Sequence, residues 1–283
     1  MRESVTVPLI AERKLSNGAT PIVMVTAYDT PFARIVDDGG VDIILVGDSV
    51  ANNVLGYADT LHVDVAQMAH HVGAVARAQP KALIVADLPW LSYHLDPADA
   101  VRNAATLVRA GAQAVKLEGG RQRLAAVQAL VDAEIPVMGH LGLTPQSLLV
   151  FGGFKVQGRV PEAALEIELD AKALAAAGCF AIVLEGVPDV LAERVTASVA
   201  VPTIGIGAGP GCDGQVLVLH DLLGLGSGPA PKFVRRYADL AGAARRAIAE
   251  FAGDVRSHAY PSEDETYHGS EALRRALEGD AAS

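Results

Sequence analysis

Five apolar runs in this chain end in groups that can do chemistry. "VDIILVGDS" closes on Asp48 and Ser49, "LIVAD" on Asp87, "AVKLEG" carries Lys116 and Glu118, "PVMGH" reaches His140, and "AIVLE" ends on Glu185. Carboxylates are hard oxygen ligands, and this set suits Mg²⁺, which takes one or two carboxylates and leaves its other positions to water and substrate. A lysine beside such a site suits a substrate carboxylate or an enolate oxygen, and a glutamate on a separate strand is free to act as a base. Lys116 and Glu118 stand two apart, so on a strand their side chains share a face. An inward-facing pair of that kind is costly to bury without partners, which a metal and an anionic substrate would supply.

Each residue also has a plainer role open to it. Asp48 fits a helix cap and Asp87 a turn before Leu88-Pro89. Lys116 and Glu118 fit a structural ion pair, and His140 a hydrogen-bonded core histidine. Independent caps do not explain so many polar groups at the ends of separate strands if those ends meet at one mouth, so the architecture decides the matter.

Three segments align on their glycines: "GVDIILVGD" from Gly40, "GAQAVKLEG" from Gly111 and "GCFAIVLEG" from Gly178. Each opens with the residue expected just past a helix end and continues as a strand. Thr30-Pro31, Asp96-Pro97 and Val160-Pro161 place proline at the first helical position of the helices before them. The remaining apolar runs complete eight strands, at residues 22–26, 42–46, 83–86, 113–117, 135–138, 180–184, 203–206 and 216–219. Eight strands alternating with helices predict an α/β fold, a closed (β/α)₈ TIM barrel, whose ligands bind at the carboxyl ends of the strands. The organisation expected is an N-terminal extension over 1–20, a barrel over 21–253 and a polar C-terminal extension over 254–283, with a short helix after Ser270.

Composition agrees with this and excludes other classes. The chain is 51% hydrophobic but 5% aromatic, so its core is aliphatic, as parallel strands under helices require. A formal charge of −10 argues against nucleic acid as a partner. No run reaches the roughly 18 apolar residues of a membrane span, and no signal peptide is evident, so the cytoplasm is the expected compartment. Cys179 and Cys212 lack metal-ligand spacing, and Cys179 reads as a small buried hydrophobe. His70-His71 lies in a helical stretch, where adjacent residues face apart. "GIGAGPGCDGQ" over 205–215 lacks the dinucleotide spacing and reads as a ligand-facing loop or a tight turn. The glycine-rich stretch over 139–159 is an unusually long connection, suited to a lid, substrate contact or subunit contact.

With "TAYD" at 26–29, "VGDS" at 46–49, "VADLP" at 85–89, "VKLEGG" at 115–120, "MGHLGLTPQS" at 138–147, "GGFKVQGR" at 152–159, "IVLEGVP" at 182–188 and "IGIGAGPGCDGQVLVLHDLLG" at 204–224, the chain closely resembles the ketopantoate (3-methyl-2-oxobutanoate) hydroxymethyltransferase family over about residues 19–262. The resemblance implies a barrel of the phosphoenolpyruvate/pyruvate type that binds Mg²⁺ and assembles as a homodecamer. It implies Asp48 and Asp87 as metal ligands, with Glu118 at the metal directly or through water. It also implies Asp48, Ser49, Asp87 and Lys116 at the substrate and Glu185 as proton acceptor. The implied reaction moves a one-carbon unit from 5,10-methylenetetrahydrofolate to 3-methyl-2-oxobutanoate, giving 2-dehydropantoate on the route to pantothenate and coenzyme A. For that chemistry Glu185 needs a desolvated pocket, which "FAIVL" before it can provide. A Mg²⁺-dependent lyase or mutase of the same superfamily, and a barrel without catalysis, are the competing expectations.

Overall fold

Each apolar run forms a parallel strand in the computed structural model, which describes residues 3–226 and 230–280. Residues 1–2 and 281–283, at the tips of the two expected extensions, lie outside the described residues. The strands are β1 (Ile22–Thr26), β2 (Ile43–Val46), β3 (Leu83–Asp87), β4 (Ala114–Glu118), β5 (Val137–Gly142), β6 (Ala181–Glu185), β7 (Thr203–Ile206) and β8 (Gly214–Leu217). They pair in chain order, and β8 closes on β1, with Ile22 opposite Gly214.

Alternation along the strands builds two cores. Ile43 and Leu45 point into the barrel with Met24, Val85 and Val183. Ile44 and Val46 point out against the helices, with Val25, Ile84 and Leu184. Both faces are therefore buried, which is why the strands read as unbroken apolar runs.

The glycines that align in sequence have one structural task. Gly40, Gly111 and Gly178 take φ of 82°, 119° and 98°, the left-handed region that turns a finished helix back toward the next strand. At Gly111 a Cβ would also lie 2.4 Å from that of Ala76. Helix entry differs by one residue from expectation at the first unit. Asp29, not Thr30, is the cap, accepting from Phe32 N at 2.8 Å, and Thr30 Oγ1 instead donates to Ala74 O.

The last unit departs most. β7 and β8 are joined by a short loop with no helix between them, and β8 begins two residues earlier than the "VLVL" run suggests. Gly214 sets that start: a Cβ there would meet Ile22 O at 2.5 Å, so only glycine permits this closure of the ring. Asp213, just before it, fastens the bottom of the barrel. Its carboxylate accepts from Lys14 Nζ, Leu15 N and Thr203 N, each at 2.8 Å. The helix Val7–Ala11 inserts fully buried Ile10 among Ile22, Met24 and Ile43, so this end is plugged and the opposite end is left as the mouth.

The helices Leu240–Arg256 and Glu271–Asp280 carry mostly exposed side chains, including Ile248, Phe251 and Leu277. Among the described residues no helix is long and apolar enough to cross a membrane.

Cys179 and Cys212 are buried free thiols. Burial alone pushes Cys179 up to about 12, and burial also raises Cys212. Neither thiol should react with a disulfide reagent at pH 8 in the native protein, and both should react once it is denatured. Stoichiometric labelling of the native chain would contradict this burial.

Candidate active site

The polar strand ends do meet. Asp87 and Glu185 are the last residues of β3 and β6, Lys116 and Glu118 lie in β4, His140 lies in β5, and Asp48 and Ser49 follow β2 after Gly47. Register places them side by side, with Asp87 opposite Lys116 and Glu118 opposite His140. All seven line one cavity of about 360 Å³ at the mouth. Asp48, Asp87, Lys116, Glu118 and His140 are buried, whereas the Glu185 side chain is 16% exposed.

The contacts among them are tight. Asp87 Oδ2 accepts from Asp48 N at 3.0 Å. Lys116 Nζ lies 2.9 Å from Asp87 Oδ1, an ion pair between two buried side chains. His140 Nδ1 lies 3.2 Å from Glu118 Oε1 and 3.3 Å from Lys116 Nζ, and Nε2 lies 3.2 Å from Glu185 Oε2. Nδ1 can serve only one neighbour at a time: protonated it faces Glu118, unprotonated it accepts from Lys116. Burial and the Lys116 charge both push the imidazole pKa down, but the flanking carboxylates outweigh them and lift it to about 9. That favours the imidazolium, with Lys116 left to Asp87.

Four carboxylates, Asp48, Asp87, Glu118 and Glu185, thus face two cations, Lys116 and His140. Burial would lower Lys116, but Asp87, Glu118 and Asp48 hold its pKa above the usual value. Burial would raise Glu118, but His140, Lys116 and the Gln146 amide hold it below the usual range. The excess negative charge shows on Asp48, which burial and then its neighbours Asp87 and Glu118 push well above the ordinary carboxylate range. A divalent cation would balance this charge. Among the described residues no three His, Cys, Asp or Glu side chains form a ready-made ion cage. Mg²⁺ needs only one or two carboxylates and keeps waters as its other ligands. Asp48 and Asp87 can hold such an ion, with Glu118 behind them.

Three polar residues at this site were not singled out from the sequence. Tyr28 shares a 2.8 Å hydrogen bond with Ser49 Oγ, Gln146 donates to the Asp48 and Glu118 carboxylates, and the Tyr93 hydroxyl donates to Gln146 Oε1. Their signal is only position, just past a strand or inside the long connection. That connection also supplies Leu143, Leu148 and Phe154 to an apolar outer wall, where Phe233 joins them. The glycines after β7 line a separate surface groove, and Gly207 and Gly209 take positive φ. His71 Nδ1 lies 2.8 Å from Tyr28 O, away from the carboxylates.

Comparison with known proteins follows the same line. The family model described as ketopantoate hydroxymethyltransferase matches residues 4–263, extending the resemblance through the N-terminal plug. The 3-methyl-2-oxobutanoate hydroxymethyltransferase of Methylobacterium sp. (strain 4-46) is 59% identical over 257 residues, 91% of this chain and 89% of that one. One from Bradyrhizobium diazoefficiens is 54% identical over 275 residues, 97% and 93% of the two chains. Among solved structures, 2,3-dimethylmalate lyase, a PEP mutase/isocitrate lyase superfamily member, superposes with a TM-score of 0.58 at 20% identity, covering 98% and 99%. Phosphonopyruvate hydrolase in complex with oxalate and Mg²⁺ gives 0.57 at 14%, covering 98% and 96%. At those identities the structures establish the fold alone, while the sequence match over nearly the whole chain places this protein in the ketopantoate hydroxymethyltransferase family of enzymes.

Proposed function

We propose that this chain transfers a hydroxymethyl group, with water, from 5,10-methylenetetrahydrofolate to 3-methyl-2-oxobutanoate, yielding 2-dehydropantoate and tetrahydrofolate for pantothenate and coenzyme A synthesis. The observation that carries the reading is a cavity whose buried carboxylates outnumber their cations, with the partly exposed Glu185 standing on a separate strand. Asp48 and Asp87, with Glu118 in support, would hold Mg²⁺, whose charge would polarise an α-keto acid and make its neighbouring C–H acidic. Lys116 meets the substrate carboxylate or the enolate oxygen. Ser49, oriented by the Tyr28 hydroxyl, contacts the keto acid. Glu185 accepts the C3 proton, with His140 Nε2 3.2 Å from its Oε2 as the neighbouring cation. The apolar wall of Leu143, Leu148, Phe154 and Phe233 shields the resulting nucleophile and offers a face to the folate ring.

The rival lyase or mutase would turn over an α-keto acid without folate, and a barrel without catalysis would turn over nothing. Relatives at 59% and 54% identity carry the hydroxymethyltransferase name, while the lyase neighbour shares only 20%. Turnover of 3-methyl-2-oxobutanoate should require both methylenetetrahydrofolate and a divalent ion, and chelation should stop it. Folate-independent consumption, or none, would favour the respective rival.

Asp87→Asn keeps the shape of the side chain and removes its charge. Mg²⁺ affinity, read by calorimetry, should fall at least roughly tenfold while the fold survives. Normal Mg²⁺ and substrate binding would refute the assignment.

The proposed assembly is a homo-oligomer larger than a dimer, a decamer by family resemblance. Ile248, Phe251 and Val255 support it, because their i, i+3, i+7 spacing makes one exposed apolar face on a helix. Sedimentation at micromolar concentration should show that assembly, and a monomer would contradict it. The two unpaired thiols suit a reducing compartment, which supports the cytoplasm.

A further inference from the structure

Gln146 belongs to the turn Pro145–Ser147 in the long connection after β5, and it is buried although Leu149, Val150 and Phe154 of the same connection are exposed. Its whole hydrogen-bonding capacity is directed at the carboxylate cluster and its supports. Nε2 donates to Asp48 Oδ2 at 2.9 Å and to Leu88 O at 3.0 Å. Oε1 accepts from the Tyr93 hydroxyl at 2.6 Å, and that hydroxyl accepts from Glu118 N at 3.1 Å. The backbone N of Gln146 donates to Glu118 Oε2 at 2.9 Å. The amide can sit only one way round, because a flip would set its carbonyl against two acceptors.

These contacts leave Asp48 with one oxygen committed. Oδ2 is occupied by the amide, and among the described residues no hydrogen bond reaches Oδ1. A carboxylate free to rotate would present either oxygen, or share both with neighbouring donors. We infer that Gln146 is a positioning residue for the cation site, orienting Asp48 as a singly available ligand and binding the connection after β5 to that site. The inference rests on the cation reading of the cluster given above. It goes further in assigning a neutral side chain outside the ligand set the task of orienting a ligand, as groups behind metal ligands do generally.

Gln146→Met keeps the length of the side chain and removes both donors and the acceptor, while the backbone N still serves Glu118. Titration calorimetry of the full chain with Mg²⁺ alone should show affinity reduced by roughly 10- to 100-fold, the cost usual for such outer partners. A folded Gln146→Met protein that binds Mg²⁺ within about threefold of wild type would overturn the inference and leave Gln146 as a loop anchor only. Tyr93→Phe tests the same point should that variant not fold. It leaves both Nε2 contacts in place and removes the hydroxyl that holds Oε1 and meets the Glu118 backbone N, so a smaller loss of about 2- to 10-fold is expected, the order of a single hydrogen bond. Unchanged affinity there would equally overturn the inference. A wild-type chain that binds no Mg²⁺ would instead remove the cation site itself, a result the wild-type titration alone reveals.

Discussion

Glu185→Gln is expected to abolish exchange of the C3 proton of 3-methyl-2-oxobutanoate with D₂O, measured by NMR with enzyme and Mg²⁺ and without folate. The substitution keeps the side-chain shape beside His140 but removes the carboxylate that β6 places in the pocket. A positioned general base contributes about 10²- to 10⁴-fold, so exchange and turnover should both fall by that order. Keto-acid binding should remain largely intact, because Lys116, Ser49 and Asp48 are untouched. Asp48→Asn makes the complementary case: it should weaken binding and exchange together, since it acts on the cation that acidifies the C–H. Exchange at the wild-type rate in Glu185→Gln would remove Glu185 as the base and reopen that role for His140 or Lys116, both in the same cavity.

Asp213→Asn should produce the largest loss of stability, at the opposite end of the barrel. Asp213 and Lys14 are almost wholly buried, with side-chain exposures of 1% and 8%, and the carboxylate ties the N-terminal segment to β7. Removing its charge leaves the Lys14 ammonium with only the Thr196 carbonyl at 2.6 Å. Breaking one half of a buried pair costs about 3–5 kcal/mol, because the remaining charge cannot return to water without opening the fold. By contrast the Asp99–Arg102 pair, 46% and 67% exposed, should shift stability by less than about 1 kcal/mol when broken. Denaturant unfolding of the two variants compares them directly. A loss at Asp213 no greater than at Asp99 would show that the N-terminal segment does not fasten the barrel. Because Asp213 lies far from the mouth, turnover by the folded variant should be preserved.

The barrel was legible because its physics is local and repeated. A strand buried on both faces must be apolar throughout, a helix must turn back at a residue tolerant of positive φ, and both marks recur at Gly40, Gly111 and Gly178. Where the rule is not repeated, the reading slipped. β8 starts at Gly214 because of an approach to Ile22 O on a strand 192 positions earlier, which no local pattern encodes.

The same division runs through the site. From sequence alone came the chemical inventory: acidic, basic and hydroxyl groups at strand ends, and hence one mouth for Asp48, Ser49, Asp87, Lys116, Glu118, His140 and Glu185. Strand periodicity forces residues two apart onto one face and a closed parallel ring gathers all carboxyl ends together, so this much follows from one-dimensional spacing. Tertiary structure alone decided the electrostatics. That His140 sits between Glu118 and Glu185, that burial and its acidic neighbours raise the pKa of Asp48, and that Gln146 and Tyr93 reach in from distant segments all depend on separations of a few ångströms between groups far apart in the chain. Coulomb and hydrogen-bond energies change steeply over such distances and with burial, and neither distance nor burial between remote segments is written in residue order.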